Sequence, residues 1–419
     1  MIGQRIRYYR KQTGLTLEKL AEGICSVSYL SKIEHGDKSS DEVAKLLCDR
    51  LGIAYEDVDN QAQLEETRRL LDHWYKEIRD KVFYDYEDYK DRIEESLGKA
   101  QSPLLNIRFD LFQIKYLTAK SNFEKAKERI ANVEQYHELM DDELLYYYHH
   151  FLGIYYGAVN AYDDAIVHFE KAEKAIQELT LGEAETGELW YQIALVHSNH
   201  VQFTRAMDYA NKGLDIFNKQ YNLKRIADCQ VILGISSRAM KNYRQAEYHY
   251  TQALKFIELL NDDYRKSVVY YNLAVISAYN NEFHQSIDYF KNIIDLLGET
   301  SHLAVSSQVS IAESYYYLND IPQCNKELDR ARELIRCGNY GKEYPLFLEI
   351  IYKKANQIYD HSYENLLKNK ALPYYKSSKR LDKIVEYAEV LGDIYYNKKH
   401  YKRASEYYRL AKKTRDDIN

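Results

Sequence analysis

The chain has 419 residues, enough for two or more domains and a large buried core. Gly (16) and Pro (4) are scarce beside 43 Tyr, which excludes collagen-like, linker-like and loop-rich designs. A formal net charge of -6 excludes a protein that coats nucleic acid along its whole length.

In chain order, the first expected element is a helix with Ile2, Ile6 and Tyr9 inward. From Leu15 to Gly36, LTLEKLAEGICSVSYLSKIEHG, two short helices follow at once. Leu17, Leu20, Ala21 and Ile24 recur at helical spacing behind Thr16, a good N-cap. A second helix runs from about Val27 or Ser28 to His35, turns Leu30 and Ile33 inward and stops at Gly36. Only Gly23 to Ser26 separates the pair, so the helices cross steeply, and a fourth helix places Val43, Leu46, Leu47 and Leu51 inward. The outward residues of the second helix and its flanks (Ser26, Val27, Ser28, Tyr29, Ser31, Lys32 and Lys38, with Thr16 before them) suit contacts to base edges and phosphates. Charge agrees, since Arg5, Arg7, Arg10, Lys11, Lys19, Lys32 and Lys38 outnumber Glu18, Glu22, Glu34 and Asp37 within this stretch.

The order of residue types from Ile2 to about Ile53 resembles the Xre/Cro-type helix-turn-helix almost position by position. Leu17 stands where many members carry Gln, and the turn Glu22-Gly23-Ile24-Cys25-Ser26 is one residue shorter than usual. That short turn looks like the version in the peptide-sensing regulators of Gram-positive bacteria, the Rgg, Rap, NprR, PlcR and PrgX group.

The polar stretch Ala54 to Gln63 marks a domain boundary, giving a DNA-binding domain at 1–58, a linker at 59–66 and a second domain at 67–419. Beyond it a unit repeats. Tyr86, Phe123, Tyr162, Phe203, Tyr243, Phe283, Ile321, Tyr363 and Tyr401 follow one another at 37 to 42 residues. Three positions later stands Ala126, Ala165, Ala206, Ala246, Ser286, Cys324 or Ala404, with Tyr89 and Leu366 as the poor fits. Upstream come Leu152-Gly153, Ile193-Ala194, Leu233-Gly234, Leu273-Ala274, Ile311-Ala312 and Leu391-Gly392. The pattern resembles the tetratricopeptide repeat at a lengthened period, with longer helices. The expected fold is therefore all-α: the helix-turn-helix domain followed by a right-handed superhelix of about nine hairpins.

Most of the tyrosines are read as core. Candidate peptide contacts are residues on the first helix of each pair that stacking does not need: Gln192, Asn199, Arg238, Tyr271, Asn272, Tyr279, Glu313 and Tyr316. An Asn or Gln amide pairs with both polar groups of an extended backbone. Gln192 and Asn272 share one repeat position, and the resemblance implies that peptides are contacted there. The acidic balance of the repeats is a slight argument for a positively charged peptide.

Neighbouring His149 and His150 point apart on a helix, and His197 with His200 lacks a third ligand, so no metal is expected. No phosphate loop or nucleophile motif occurs, so no catalytic residue and no cofactor is assigned. Cys25, Cys48, Cys229, Cys324 and Cys337 form no CxxC pair and suit reduced thiols. The N-terminus has no apolar signal core, and no stretch approaches the roughly 18 apolar residues of a membrane span. A cytoplasmic protein is expected.

Resemblance in both halves implies a quorum-sensing transcription regulator, with length and repeat count fitting the NprR-like members best. Its expected partners are double-stranded promoter DNA, a re-imported signalling peptide in the concave groove, and a second copy in a homodimer or higher homo-oligomer. An alternative is implied by the Rap members, which promote dephosphorylation of a response regulator. Gln61, Gln63 and Gln101 are available for such a role, and none lies in a matching motif.

Overall fold

The computed structural model describes the chain except residues 1, 56–60, 81–85, 339, 342, 379 and 417–419. All regular structure among the described residues is helical. The chain divides into two compact units, 1–220 and 221–419.

The first unit opens with α1 (Ile2–Gln12), α2 (Leu17–Ala21), α3 (Val27–Glu34) and α4 (Asp41–Leu51). Each of the last three starts on a hydroxyl residue. Thr16, Ser26 and Ser40 lie in extended conformation and accept from the backbone N–H of Lys19, Tyr29 and Val43, satisfying one orphan donor at each helix start. Ile6, Leu20, Leu30, Ile33 and Leu47 close the small core. The expectation for Leu46 is corrected: it is 51% exposed, and Ala44 and Cys48 take the inward places beside Leu47. Leu46 sits about 100° round the helix from Leu47, off the stripe that 44, 47, 48 and 51 form.

Hairpins follow: α5 (Gln61–Asp80) with α6 (Tyr86–Ala100), α7 (Pro103–Ala119) with α8 (Phe123–Glu134), α9 (Asp142–Ala158) with α10 (Tyr162–Glu178), and α11 (Glu183–Asn199) with α12 (Phe203–Lys219). Residues 61–66 of the expected linker form the start of α5, while residues 59 and 60 lie outside the described residues.

The second unit continues with α13 (Leu223–Ala239) and α14 (Tyr243–Leu260), α15 (Asp263–Tyr279) and α16 (Phe283–Leu297), and α17 (His302–Tyr317) and α18 (Ile321–Cys337). After α19 (Glu343–Ala355) the partner is broken into α20 (His361–Leu366) and α21 (Leu372–Ser377), with a π turn over Leu367–Ala371 between them. Pro373, the second residue of α21, has no N–H to continue ordinary α turns from the preceding segment. The pair α22 (Leu381–Asn397) and α23 (Tyr401–Asp416) follows as the last described hairpin.

Eight of the nine repeat anchors, all but Tyr363, are the first residue of a second helix. The small residues three positions on, Ala126 through Ala404, are all buried, so each second helix approaches its partner closely. The Leu-Gly pairs have the same cause: a Cβ on Gly153, Gly234 or Gly392 would lie within 2.6 Å of the ring of Phe169, Tyr250 or Tyr408. Gly234→Ala must therefore displace the Tyr250 ring, and we expect a loss of about 1–2 kcal/mol in denaturant unfolding. An unchanged midpoint would show that the ring moves freely.

The turn inside seven of the hairpins is also repeated. Ser121, Asn160, Val201, Lys241, Asn281, Asn319 and Lys399 stand two residues before a second helix with φ between 58° and 64°. A left-handed residue ends the first helix and lets the chain reverse. Asn tolerates this conformation, whereas β-branched Val201 is strained by it.

Candidate functional site

Helix α3 presents its outer face to solvent. Ser28, Lys32 and Lys38 are exposed, as are Ser26 and Val27, while Tyr29 and Ser31 are half-buried. Tyr29 packs against the small core and its hydroxyl accepts from the Ser40 N–H at 3.2 Å, so it braces the approach to α4. The hydroxyls of Thr16 and Ser26 are engaged as helix caps.

The basic residues of α1 do not join this face. Arg10 holds the 3%-exposed Glu34 through two parallel bonds, Nε to Oε1 at 2.6 Å and Nη2 to Oε2 at 2.7 Å. Lys11 donates to the Gln135 carbonyl at 2.7 Å, and Arg7 pairs with Glu138. Arg5 donates to the Ala54 carbonyl at 2.8 Å and to Gln101 Oε1 at 3.3 Å. Tyr8 completes the seam, buried with its ring centroid 4.6 Å from that of Tyr136. The charge excess counted in the sequence is thus largely spent within the first unit, leaving Lys19, Lys32 and Lys38 exposed near α3.

The glutamines considered for a phosphatase role are engaged as well. Gln101 accepts from the Ala54 N–H at 3.0 Å as well as from Arg5. Gln63 donates to Thr67 and Ser96, and Gln61 to Glu65.

In the first unit, α5 lies over the first helices that follow it. Trp74 and Tyr75 pack on Phe109, Phe112, Tyr147 and Phe151. The Tyr75 hydroxyl donates to Glu185 at 2.8 Å and Arg79 to the other oxygen at 2.9 Å, tying α5 to α11. Burial still pushes the Glu185 carboxyl up, against the pull of Lys115. Gln192 is half-buried and donates to Glu188 at 3.0 Å, and Asn199 is exposed at the end of α11.

The other candidates belong to the second unit, each on a first helix. Asn272 turns its amide back to the Val268 carbonyl at 2.9 Å, which leaves its oxygen free to accept. Tyr271 meets Phe290 edge-on, and Tyr279 stacks on Tyr243 at 5.3 Å while staying exposed. Glu313 lies 3.7 Å from Lys383 on α22, and Tyr316 is half-buried beside Tyr317. Lys383 also binds Glu386, which pairs with Lys354. This chain of charges joins residues up to 70 apart and has no local signal in the sequence. His149 and His168 form a further unforeseen pair, with Nδ1 atoms 3.0 Å apart. A cavity of about 330 Å³ lined by Phe169, Glu173, His197, Arg205 and Tyr209 contains none of the candidate peptide residues.

A helix-turn-helix family model matches residues 6–58. The transcriptional activator NprA of Geobacillus stearothermophilus is 30% identical over 401 residues, 94% of this chain and 98% of NprA. The chain belongs to the Rap/NprR/PlcR family of quorum-sensing regulators. Among solved structures of this family, the apo quorum sensor NprR from B. thuringiensis superposes with a TM-score of 0.69 at 17% identity, over 84% of this chain and 99% of that one. NprR in complex with its cognate peptide NprX gives 0.57 at 16% identity, over 84% and 100%. These likenesses carry the fold: paired helices behind a helix-turn-helix. No described helix is long and apolar enough to cross a membrane.

Proposed function

We propose that this family member is a cytoplasmic transcription regulator that reads promoter DNA with α3 and is switched by a short peptide bound against the first helices of its repeats. The observation that carries the reading is the free polar face of α3, with Ser28 and Lys32 exposed on a capped and braced helix and Lys38 exposed in the loop just beyond it. Likeness to the activator NprA over nearly the whole chain supports the DNA half, and the NprR–NprX complex supports the peptide half. Ser28 and Lys32 contact base edges; Lys19 and Lys38 contact phosphates. A homodimer places two copies of α3 about one DNA turn apart on a roughly palindromic operator. The peptide acts by binding one conformational or oligomeric state better than another.

Lys32→Ala with Ser28→Ala tests the DNA half and spares the structural Tyr29. Affinity for the DNA upstream of the gene should fall about tenfold to a hundredfold, with the melting temperature unchanged. Light scattering with and without the short peptide encoded just downstream tests the switch. If the peptide alters neither mass nor DNA affinity, the switch is wrong; unchanged DNA binding by the double variant removes α3 as the reader.

A further inference from the structure

The second unit carries one half-buried cation without an anion. Arg238 lies on the first helix α13, its Nε is enclosed without a hydrogen-bond partner, and no carboxylate among the described residues pairs with it. Neighbouring arginines are treated differently: Arg225 and Arg265 share Asp228 at 2.8 and 3.0 Å, and Arg380 pairs with Asp382. Burying part of a guanidinium without an anion costs free energy unless something else supplies the charge.

The surroundings are phenolic. Tyr250 is fully buried against Gly234, with its hydroxyl beside Arg238. Burial pushes that phenol up to about 12, and the adjacent Arg238 charge pulls the other way. Tyr243 is raised by burial and by Tyr279, and again Arg238 opposes the shift. Arg238 thus lies beside Tyr250 and beside Tyr243, which stacks on Tyr279 at 5.3 Å. Tyr250 lies beside the guanidinium, whose terminal nitrogens bind no carboxylate among the described residues. A planar fork with no anion of its own suits bidentate capture of a carboxylate.

We infer that Arg238 receives a carboxylate of the bound peptide, from an acidic side chain or from its C-terminus, a step that rests on the peptide-binding reading above. The overall acidity of the chain argues for a basic ligand, but it is screened within about 10 Å at ordinary salt, whereas Arg238 acts at contact distance. The position is set by the repeat: Arg238 lies four residues after Gly234, as Tyr316 lies four after Ala312.

The test uses the full chain and a synthetic heptapeptide library scanned position by position, with binding read by fluorescence anisotropy. Binders should require Asp or Glu at one position, or lose affinity on C-terminal amidation. Asp→Asn replacement and amidation separate the two sources. Arg238→Gln should weaken the acidic binders at least about tenfold and leave the Asn-substituted or amidated forms unchanged, with Arg238→Lys in between. Circular dichroism melts of both variants confirm that the fold is kept. Peptides that bind without an acidic requirement, or equal binding of acidic forms by Arg238→Gln, overturn the assignment while the peptide-sensing reading stands. If no heptapeptide binds, that reading falls and this one with it.

Discussion

Glu34→Gln should cost the helix-turn-helix about 3–5 kcal/mol and abolish DNA binding, although Glu34 is buried and off the exposed face of α3. The carboxylate is 3% exposed and takes both nitrogens of the Arg10 fork, and Arg10 also donates to the Leu15 carbonyl at 3.0 Å. One pair thus joins α1, the entry to α2 and the C-terminal end of α3. The same crossing is tight at Gly3, where a Cβ would lie 1.9 Å from the Ile33 carbonyl oxygen. Removing one charge leaves the other buried and uncompensated, which costs far more than an exposed pair contributes. Arg7 with Glu138 is the internal comparison, because Glu138 is 71% exposed. Glu138→Gln should change stability by less than about 1 kcal/mol. Hydrogen exchange separates the outcomes: Glu34→Gln should speed exchange in α1 to α3 and leave α9 to α12 unaltered. Equal and small effects from the two variants would show that the buried pair does not hold the domain together.

The sequence displayed the repeats well because their cause is local. An aromatic that opens a second helix and a small residue one turn later are both needed for two helices to pack, so Phe203 with Ala206 and Tyr243 with Ala246 appear at fixed spacing. Caps are equally local, and Thr16 and Ser26 stand where the helices start. What escaped was the use made of each side chain at long range. Arg5, Arg7, Arg10 and Lys11 look like a DNA-facing cluster in a charge count, yet their partners are Gln101, Glu138, Glu34 and the Gln135 carbonyl. The cover that α5 forms rests on pairs such as Tyr75 with Glu185, 110 residues apart. Periodicity says that Trp74 and Tyr75 point inward and is silent on what they meet. At the candidate peptide site, Asn272 and Arg238 stand in the sequence only as first-helix residues that stacking does not need. The structure adds that one amide is half engaged and that the guanidinium lacks an anion.

Acid should weaken the first unit through His150. That side chain is fully buried on α9; its Nδ1 lies 3.1 Å from the Tyr146 hydroxyl and its Nε2 has no partner. Burial, and then the nearby Lys115 charge, push it down to about 3. The unfolded chain takes up this proton near pH 6.5 and the folded chain does not, so stability falls as pH drops below 6.5. The slope approaches 1.4 kcal/mol per pH unit, or roughly 3 kcal/mol lost by pH 4. His149, pushed down to about 4 by burial and by His168, acts in the same direction, but it is only half-buried and solvent screens it. Asp110 acts oppositely: burial raises it to about 6, so it is protonated first in the fold and adds stability as pH falls. His150→Asn leaves both in place and removes one titration. The difference between wild type and variant should therefore move by about 3 kcal/mol between pH 7 and pH 4, in favour of the variant at acid pH. Both tryptophans, Trp74 and Trp190, lie in this unit, so urea unfolding followed by their fluorescence reports it directly. Parallel pH profiles for the two proteins would mean that His150 is protonated in the fold, and that the enclosed Nε2 has found an acceptor.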